Sequence, residues 1–284
     1  MSFEIRPLSD GFGAEVIGLD LGQRLSGDDF ETVRRAWFDS GVIVFRDQDL
    51  TPENQVGFSR RFGNLMIHVR KQFLEPDHPE ILLVSNKKHA DGTPYGFEEA
   101  GRYWHSDISY VEKPALGSLL YAVEIPPDGG DTLFADMRRV LQTLPQQTRR
   151  RIDGRRALHS YTRNFEKSEA LNAGRPALSA DQKSQVPDVT HPMVRTVEDT
   201  GVQTLFVNPG FTFGIEDMDE SKSEPLLSEL FAHSTKPEFT YVHKWKPRDL
   251  LCWDNRAVMH LATPFEPTHT RHMRRTTIEG VRPV

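Results

Sequence analysis

Apolar positions recur along the chain in two rhythms. Over residues 28–39, Phe30, Val33, Trp37 and Phe38 fall at helical spacing, and Gly41 stops that helix. Val42-Ile43-Val44-Phe45 then reads as a strand buried on both faces. Thr51-Pro52 sets a capping hydroxyl ahead of proline at the first helical position, and Phe62-Gly63 closes the helix that follows. Residues 5–19 read as strand broken by turns at Asp10-Gly11 and Gly13. Short apolar runs at 81–84, 116–125 and 132–135 are further strands, the last two split by the turn Pro126-Pro127-Asp128-Gly129-Gly130-Asp131.

Residues 137–152 predict a helix interrupted at Pro145, and a second helix surrounds residues 224–232. Short strands resume near Val194 and at 205–207, 241–242, 250–251 and 275–278. Many short strands with few helices point to a mainly β fold with flanking helices, a jelly roll, formed by residues 1–284 as one domain. Two polar stretches lack core periodicity. Residues 86–102 read as a lid or a plain connector, and residues 163–190 as an insertion over one face.

Composition narrows the function. A net charge of −6 argues against a nucleic-acid surface, and Arg149-Arg150-Arg151 with Arg155-Arg156 reads as a solvated helix end. The single cysteine, Cys252, excludes an intrachain disulfide and thiolate zinc sites, and its apolar neighbours make it a core residue. No apolar h-region opens the sequence and no run approaches ~18 apolar residues, so a cytoplasmic protein without a membrane partner is expected. No G-x-G-x-x-G or P-loop supports a nucleotide cofactor.

The chemistry begins at Tyr103-Trp104-His105-Ser106-Asp107. On an extended segment, side chains two apart leave the same face, so His105 and Asp107 would converge on one metal ion. Two histidines and one carboxylate with open positions suit non-haem Fe(II) and O2 chemistry. Eleven histidines compete to supply the third ligand. His78 and His89 lie in loop-like surroundings and His233 ends a helix, where its charge would suit the dipole. His260 stands out, because it follows an apolar strand and the turn-like Trp253-Asp254-Asn255-Arg256. Downstream, Arg271, Met273 and Arg275 share one face of a strand and Arg274 the other. Two guanidinium forks on one face suit a carboxylate or sulfonate, although spacing alone favours a solvated arginine pair.

Trp104-His105-Ser106-Asp107, Gly129-Gly130-Asp131-Thr132, Trp253-Asp254-Asn255-Arg256, His260 and the closing Arg271 and Arg275 together resemble the taurine and 2,4-dichlorophenoxyacetate dioxygenase family. The likeness runs from Gly13 to Ile278. These are Fe(II)- and 2-oxoglutarate-dependent oxygenases on a double-stranded β-helix. The resemblance implies that His105, Asp107 and His260 hold iron, and that Thr132 and Arg271 hold the distal carboxylate of 2-oxoglutarate. It places Arg275 at the anionic group of the prime substrate and His68 in the same pocket. It further implies succinate and CO2 as products and O2 as co-substrate. The prime substrate would be a small organic acid such as an aryloxyalkanoate, sulfonate or alkyl sulfate. Hydroxylation beside a heteroatom would cleave a C–O or C–S bond.

The carboxylate at Asp107 implies hydroxylation, since halogenating relatives carry a small residue there. Taurine-cleaving relatives carry an acidic residue and an asparagine before the Trp-His pair. Here Ala100-Gly101-Arg102-Tyr103 stands instead, which puts taurine in doubt. Arg70 and Lys71 read as pocket lining or exposed loop; Phe211 and Phe213 read as pocket wall or core, and Phe206 as core. A homo-oligomer, dimer or tetramer, is implied by the family alone. Two other classes are a metal-binding jelly roll without turnover and a zinc hydrolase on the same ligands. The first would lack Arg271 or Thr132, and the second needs a general base that the sequence does not offer.

Overall fold

The computed structural model describes residues 3–9, 12–98, 101–169 and 183–284. The first half comprises β1 (Glu4–Ser9), β2 (Phe12–Ile17), α1 (Gly27–Ser40), β3 (Val42–Phe45), α2 (Pro52–Arg60), β4 (Leu74–Glu75) and β5 (His78–Ser85). After a long loop come β6 (Gly117–Glu124), β7 (Thr132–Asp136), α3 (Met137–Gln142), α4 (Gln146–Ile152), β8 (Arg156–His159) and α5 (Tyr161–Glu169). The remainder is β9 (Val189–Pro192), β10 (Val194–Thr196), β11 (Gln203–Leu205), β12 (Thr212–Ile215), α6 (Glu220–Ser234), β13 (Thr240–His243), β14 (Leu250–Asp254), β15 (Val258–Ala262) and β16 (His272–Ile278).

Eight strands form one sheet in the order β1-β2-β3-β14-β6-β16-β5-β4, and β13-β7-β15 forms a smaller sheet. Only the β2–β3 pair of the large sheet is parallel. The period-2 alternation of each strand assigns its two faces. Val44, Leu120, Leu251 and Met273 of the large sheet meet Phe134 and Val258 of the small one, forming the core between the sheets. The alternate residues Ile43, Leu119 and Cys252 pack against Phe30, Val33 and Trp37 of α1 and Phe58 of α2. Ala135 and Met259, on the outer face of the small sheet, are covered by α3 and α6. This is a jelly roll with helices on both outer faces, as the strand pattern predicts.

The helix ends follow local chemistry. Ser26 accepts from the Asp29 backbone N–H at the start of α1, and Gly41 ends it in the left-handed region at φ 74°. Thr51 and Asn54 form a capping box ahead of α2. Pro145 separates α3 from α4, as expected. Arg150 and Arg151 of α4 are exposed and Arg149 is half-buried; Arg149 pairs with Asp153 and Arg151 with Glu229.

Three expectations need correction. Gly13 lies inside β2 rather than at a turn, because its φ of +79° is absorbed while the strand keeps its pairing. Asp10-Gly11 falls outside the described residues. The run expected at 205–207 stops at Leu205. Residues 163–190 start within helix α5 and end on strand β9; α5 has too few apolar positions for its period to show in sequence. Residues 170–182 and 99–100 of the two candidate lids also lie outside the described residues.

Tight packing beside the future site is testable. A Cβ on Gly117 would sit 2.3 Å from Trp37 Cζ2 and 2.9 Å from the Trp253 carbonyl oxygen. Gly117→Ala is expected to lower stability by about 1–3 kcal/mol, read as a shifted urea midpoint with unchanged slope.

Candidate metal and co-substrate site

His105 and His260 exchange two backbone hydrogen bonds, of 3.0 and 2.8 Å, which bring their side chains together at the edge of the small sheet. Asp107 arrives differently from expected. The strand-like pairing ends at His105, and the chain turns, with Ile108 at φ 55°. Ser106 Oγ donates to the Asn255 carbonyl at 2.6 Å, and the Asp107 N–H donates to Asn255 Oδ1 at 3.2 Å. A turn fastened to the β14–β15 connection thus places Asp107, not the parity of a strand.

His105 Nε2 lies 3.6 Å from Asp107 Oδ1, and His260 Nε2 lies 3.7 Å from Asp107 Oδ2. The three ligand atoms all lie within 4.8 Å of one another. Exposure is 6% for His105, 3% for Asp107 and 6% for His260. His105 Nδ1 is 2.8 Å from the Tyr103 carbonyl and must carry the proton there, leaving the Nε2 lone pair free. Burial, then His105, pushes the His260 imidazole well below its ordinary pKa. Burial would raise the Asp107 carboxyl, but Arg275 and the two histidines outweigh it and hold it well below the usual carboxylate range. A neutral His260 imidazole and an ionised Asp107 carboxylate result, with His105 turning its Nε2 toward them. That donor set fits a ferrous ion.

Two cavities adjoin this cluster. One is lined by Thr132, Arg271, Leu120, Trp253 and both histidines. Gly130, at φ +66°, lets the turn before β7 close upon the Arg271 side chain, and Arg271 Nε donates to the Gly130 carbonyl at 3.2 Å. Burial, with Arg102 adding, pulls the Arg271 guanidinium down to about 10, so it remains a cation at neutral pH. The second cavity is lined by His68, Tyr103, Tyr110, Tyr161 and Phe211 among others. Tyr110 lies 4.7 Å from both the Tyr161 and the Phe211 ring centroids, forming an aromatic wall. Arg275 lines both cavities and donates through Nη1 to Asp107 Oδ1 at 2.9 Å.

The sequence matches the Taurine catabolism dioxygenase TauD, TfdA family over residues 4–277. The α-ketoglutarate-dependent 2,4-dichlorophenoxyacetate dioxygenase of Cupriavidus pinatubonensis is 33% identical over 98% of this chain and 98% of its own. The chain belongs to this family. Pentalenolactone F synthase of Streptomyces avermitilis is also 33% identical, over 93% of this chain and 89% of its own. The crystal structure of AAD-2 in complex with Mn(II) and N-oxalylglycine superposes with a TM-score of 0.82 at 32% identity, covering 100% of this chain and 99% of that one. The protein is accordingly an Fe(II)- and 2-oxoglutarate-dependent dioxygenase, using O2 as co-substrate. The reading as a zinc hydrolase or a binding protein without turnover is not favoured.

Within the dioxygenase the remaining candidates separate. Arg274 leaves the opposite face of β16 from Arg275 and lies over the Tyr121 ring, 4.7 Å from its centroid. Arg70 stands over Phe97 at 5.4 Å, while Lys71 is exposed. Phe211 faces the second cavity, Phe206 is core against His159 and His191, and Phe213 lies under Arg163. His233 does end α6, but burial lowers its pKa and it bonds Thr143 and the Val140 carbonyl, so it adds no charge to the dipole. Cys252 is buried in the core and its thiol is pushed well up.

Sequence reasoning missed Ser118, which donates to Asp107 Oδ2 at 2.7 Å, and Trp245, whose Nε1 donates to Thr132 Oγ1 at 3.0 Å. It also missed Tyr110 and Tyr161. A signal existed for Ser118, a polar residue on the inner parity of an otherwise apolar strand.

Burial holds three histidines neutral: His68, lowered to about 3 with Arg275 and Arg70 adding, His191, lowered to about 4, and His159, lowered well below its ordinary value. The unfolded chain binds protons at these positions below about pH 6.5, where the folded protein does not. Stability therefore falls as pH drops from about 6.5 toward 4. Urea midpoints at about pH 7.5 and 5 should show the loss; equal midpoints would contradict it.

Proposed function

We propose that His105, Asp107 and His260 hold the iron, that Thr132 and Arg271 hold the distal carboxylate of 2-oxoglutarate, and that Arg275 and His68 meet the prime substrate. The supporting observation is the placement of two buried arginines, one in the cavity beside Thr132 and one shared with the aromatic cavity. Each offers a fixed fork of donors to an anionic group. Bound iron with 2-oxoglutarate and O2 supplies the oxidant. The chain's own task is to orient two anions around the metal ligands and to keep water away.

The substrate we propose is a small organic acid with an aromatic or otherwise apolar body, of the kind that names the dichlorophenoxyacetate-acting relative. Tyr103, Tyr110, Tyr161 and Phe211 supply flat apolar surface for that body. Asp107 is the only carboxylate among the described residues lining this cavity, and it is proposed to bind the metal, so none of these residues offers an acidic partner to the ammonium of taurine. Hydroxylation of a carbon that bears an ether oxygen would give a hemiacetal, which collapses with C–O cleavage; the same logic covers C–S bonds.

The reading extends to residues 1–284 acting as one domain, to segments 86–102 and 163–190 closing over substrate, and to a cytoplasmic homo-oligomer, dimer or tetramer. No helix among the described residues is long and apolar enough to cross a membrane.

Succinate release by protein loaded anaerobically with Fe(II) and given 2-oxoglutarate, O2 and a panel of acids tests the proposal. The panel would hold aryloxyalkanoates, alkyl sulfates, sulfonates and phosphonates. Substrate-dependent succinate that is lost in Asp107→Ala is expected; its survival in that variant would contradict the ligand set. Arg271→Gln should raise the KM for 2-oxoglutarate by roughly 10–100-fold, the worth of a hydrogen bond to a charged group. Arg275→Gln should raise the KM of the prime acid by a similar factor and, because Arg275 also holds Asp107 Oδ1, weaken metal binding.

A further inference from the structure

We infer that Ser118 and Asn255 are positioning residues that aim the Asp107 carboxylate at the metal by tying down its Oδ2. The inference rests on His105, Asp107 and His260 being the iron ligands. Its observation is a closed ring of hydrogen bonds behind Asp107. Trp253 Nε1 donates to Asn255 Oδ1 at 3.0 Å, and the same oxygen accepts the Asp107 N–H at 3.2 Å. Asn255 Nδ2 donates to Ser118 Oγ at 3.1 Å, and Ser118 Oγ donates to Asp107 Oδ2 at 2.7 Å. Exposure is 0% for Ser118 and 1% for Asn255, so water is no alternative partner.

The direction of this ring is forced. An indole N–H and a backbone N–H only donate, so the Asn255 carbonyl oxygen must face both of them. The Asn255 amide nitrogen then faces Ser118 and uses the acceptor side of its hydroxyl. Only the hydroxyl proton remains, and it points at Asp107. A rotation of the carboxylate would therefore orphan a buried hydroxyl and loosen the amide behind it. Asp107 Oδ1 takes its own bond, from Arg275 Nη1 at 2.9 Å, so the Ser118–Asn255 ring is what fixes the Oδ2 side of the carboxylate. Asn255 also accepts Ser106 Oγ on its carbonyl at 2.6 Å. One residue thus fastens the turn carrying Asp107 to the connection that leads into His260. The metal ligands are held relative to one another by a side chain that touches no reactant.

The test is calorimetric titration of the full-length metal-free protein with Mn(II), alongside its melting temperature. Wild type, Asp107→Ala, Ser118→Ala, Ser118→Cys and Ser118→Thr would be compared. Partners behind a metal ligand typically govern affinity by about 10–100-fold. Ser118→Ala is expected to weaken Mn(II) binding by that order, and Ser118→Cys, nearly the same shape with a poor donor, to lose most of it too. Ser118→Thr, which keeps the hydroxyl, should recover it. If Ser118→Ala fails to fold, the cysteine variant carries the comparison. Wild-type Mn(II) affinity in Ser118→Ala and Ser118→Cys, with or without a lowered melting temperature, would reduce the ring to a structural role and overturn the inference. Binding that is absent in wild type, or indifferent to Asp107→Ala, would overturn the ligand assignment beneath it.

Discussion

The carboxylate of Asp107 is an anion removed from water, and much of the surrounding structure exists to compensate it. With 3% of the residue exposed, burial alone would favour the neutral acid, which is a poor metal ligand. Arg275 and Ser118 each take one carboxylate oxygen, at 2.9 and 2.7 Å, and the two imidazoles lie just beyond. The jelly roll supplies these partners from elements far apart in sequence. Ser118 comes from β6, Arg275 from β16, and His260 from β15 in the facing sheet. The helices on the outer faces keep both sheets dry enough for such charge pairing to count.

Sorting of charge follows from the same geometry. Arg271 reaches the cavity beside Thr132, while Arg275 stands where that cavity meets the aromatic one. Arg271, just before β16, and Arg275, within it, thereby present separate cations to the two cavities. The aromatic wall of Tyr110, Tyr161 and Phe211 gives the second cavity its apolar character. Half-buried, neutral His68 adds a polar edge without a second charge.

Much of this was legible in the sequence because it depends on local pattern. The doubly buried strand Val42–Phe45, the cap at Thr51, and the opposed faces of Arg274 and Arg275 all follow from spacing. What spacing could not give was contact across the chain. Asp107 is set by a bond to Asn255, 148 residues away, so a strand-parity argument reached the right pair for an incomplete reason. Tyr110 and Tyr161 meet only through tertiary packing, and α5 is a short, polar helix. The roles proposed for Thr132 and His68 came from family likeness alone, and that of Arg275 needed the likeness to overturn its reading as half of a solvated arginine pair.

The central claim is that one divalent ion binds between His105, Asp107 and His260. An anomalous-difference map from crystals soaked in Mn(II) tests it most directly. A single strong peak at bonding distance from both Nε2 atoms and one Asp107 oxygen is the result expected. A strong peak elsewhere with none among these three side chains would contradict the account.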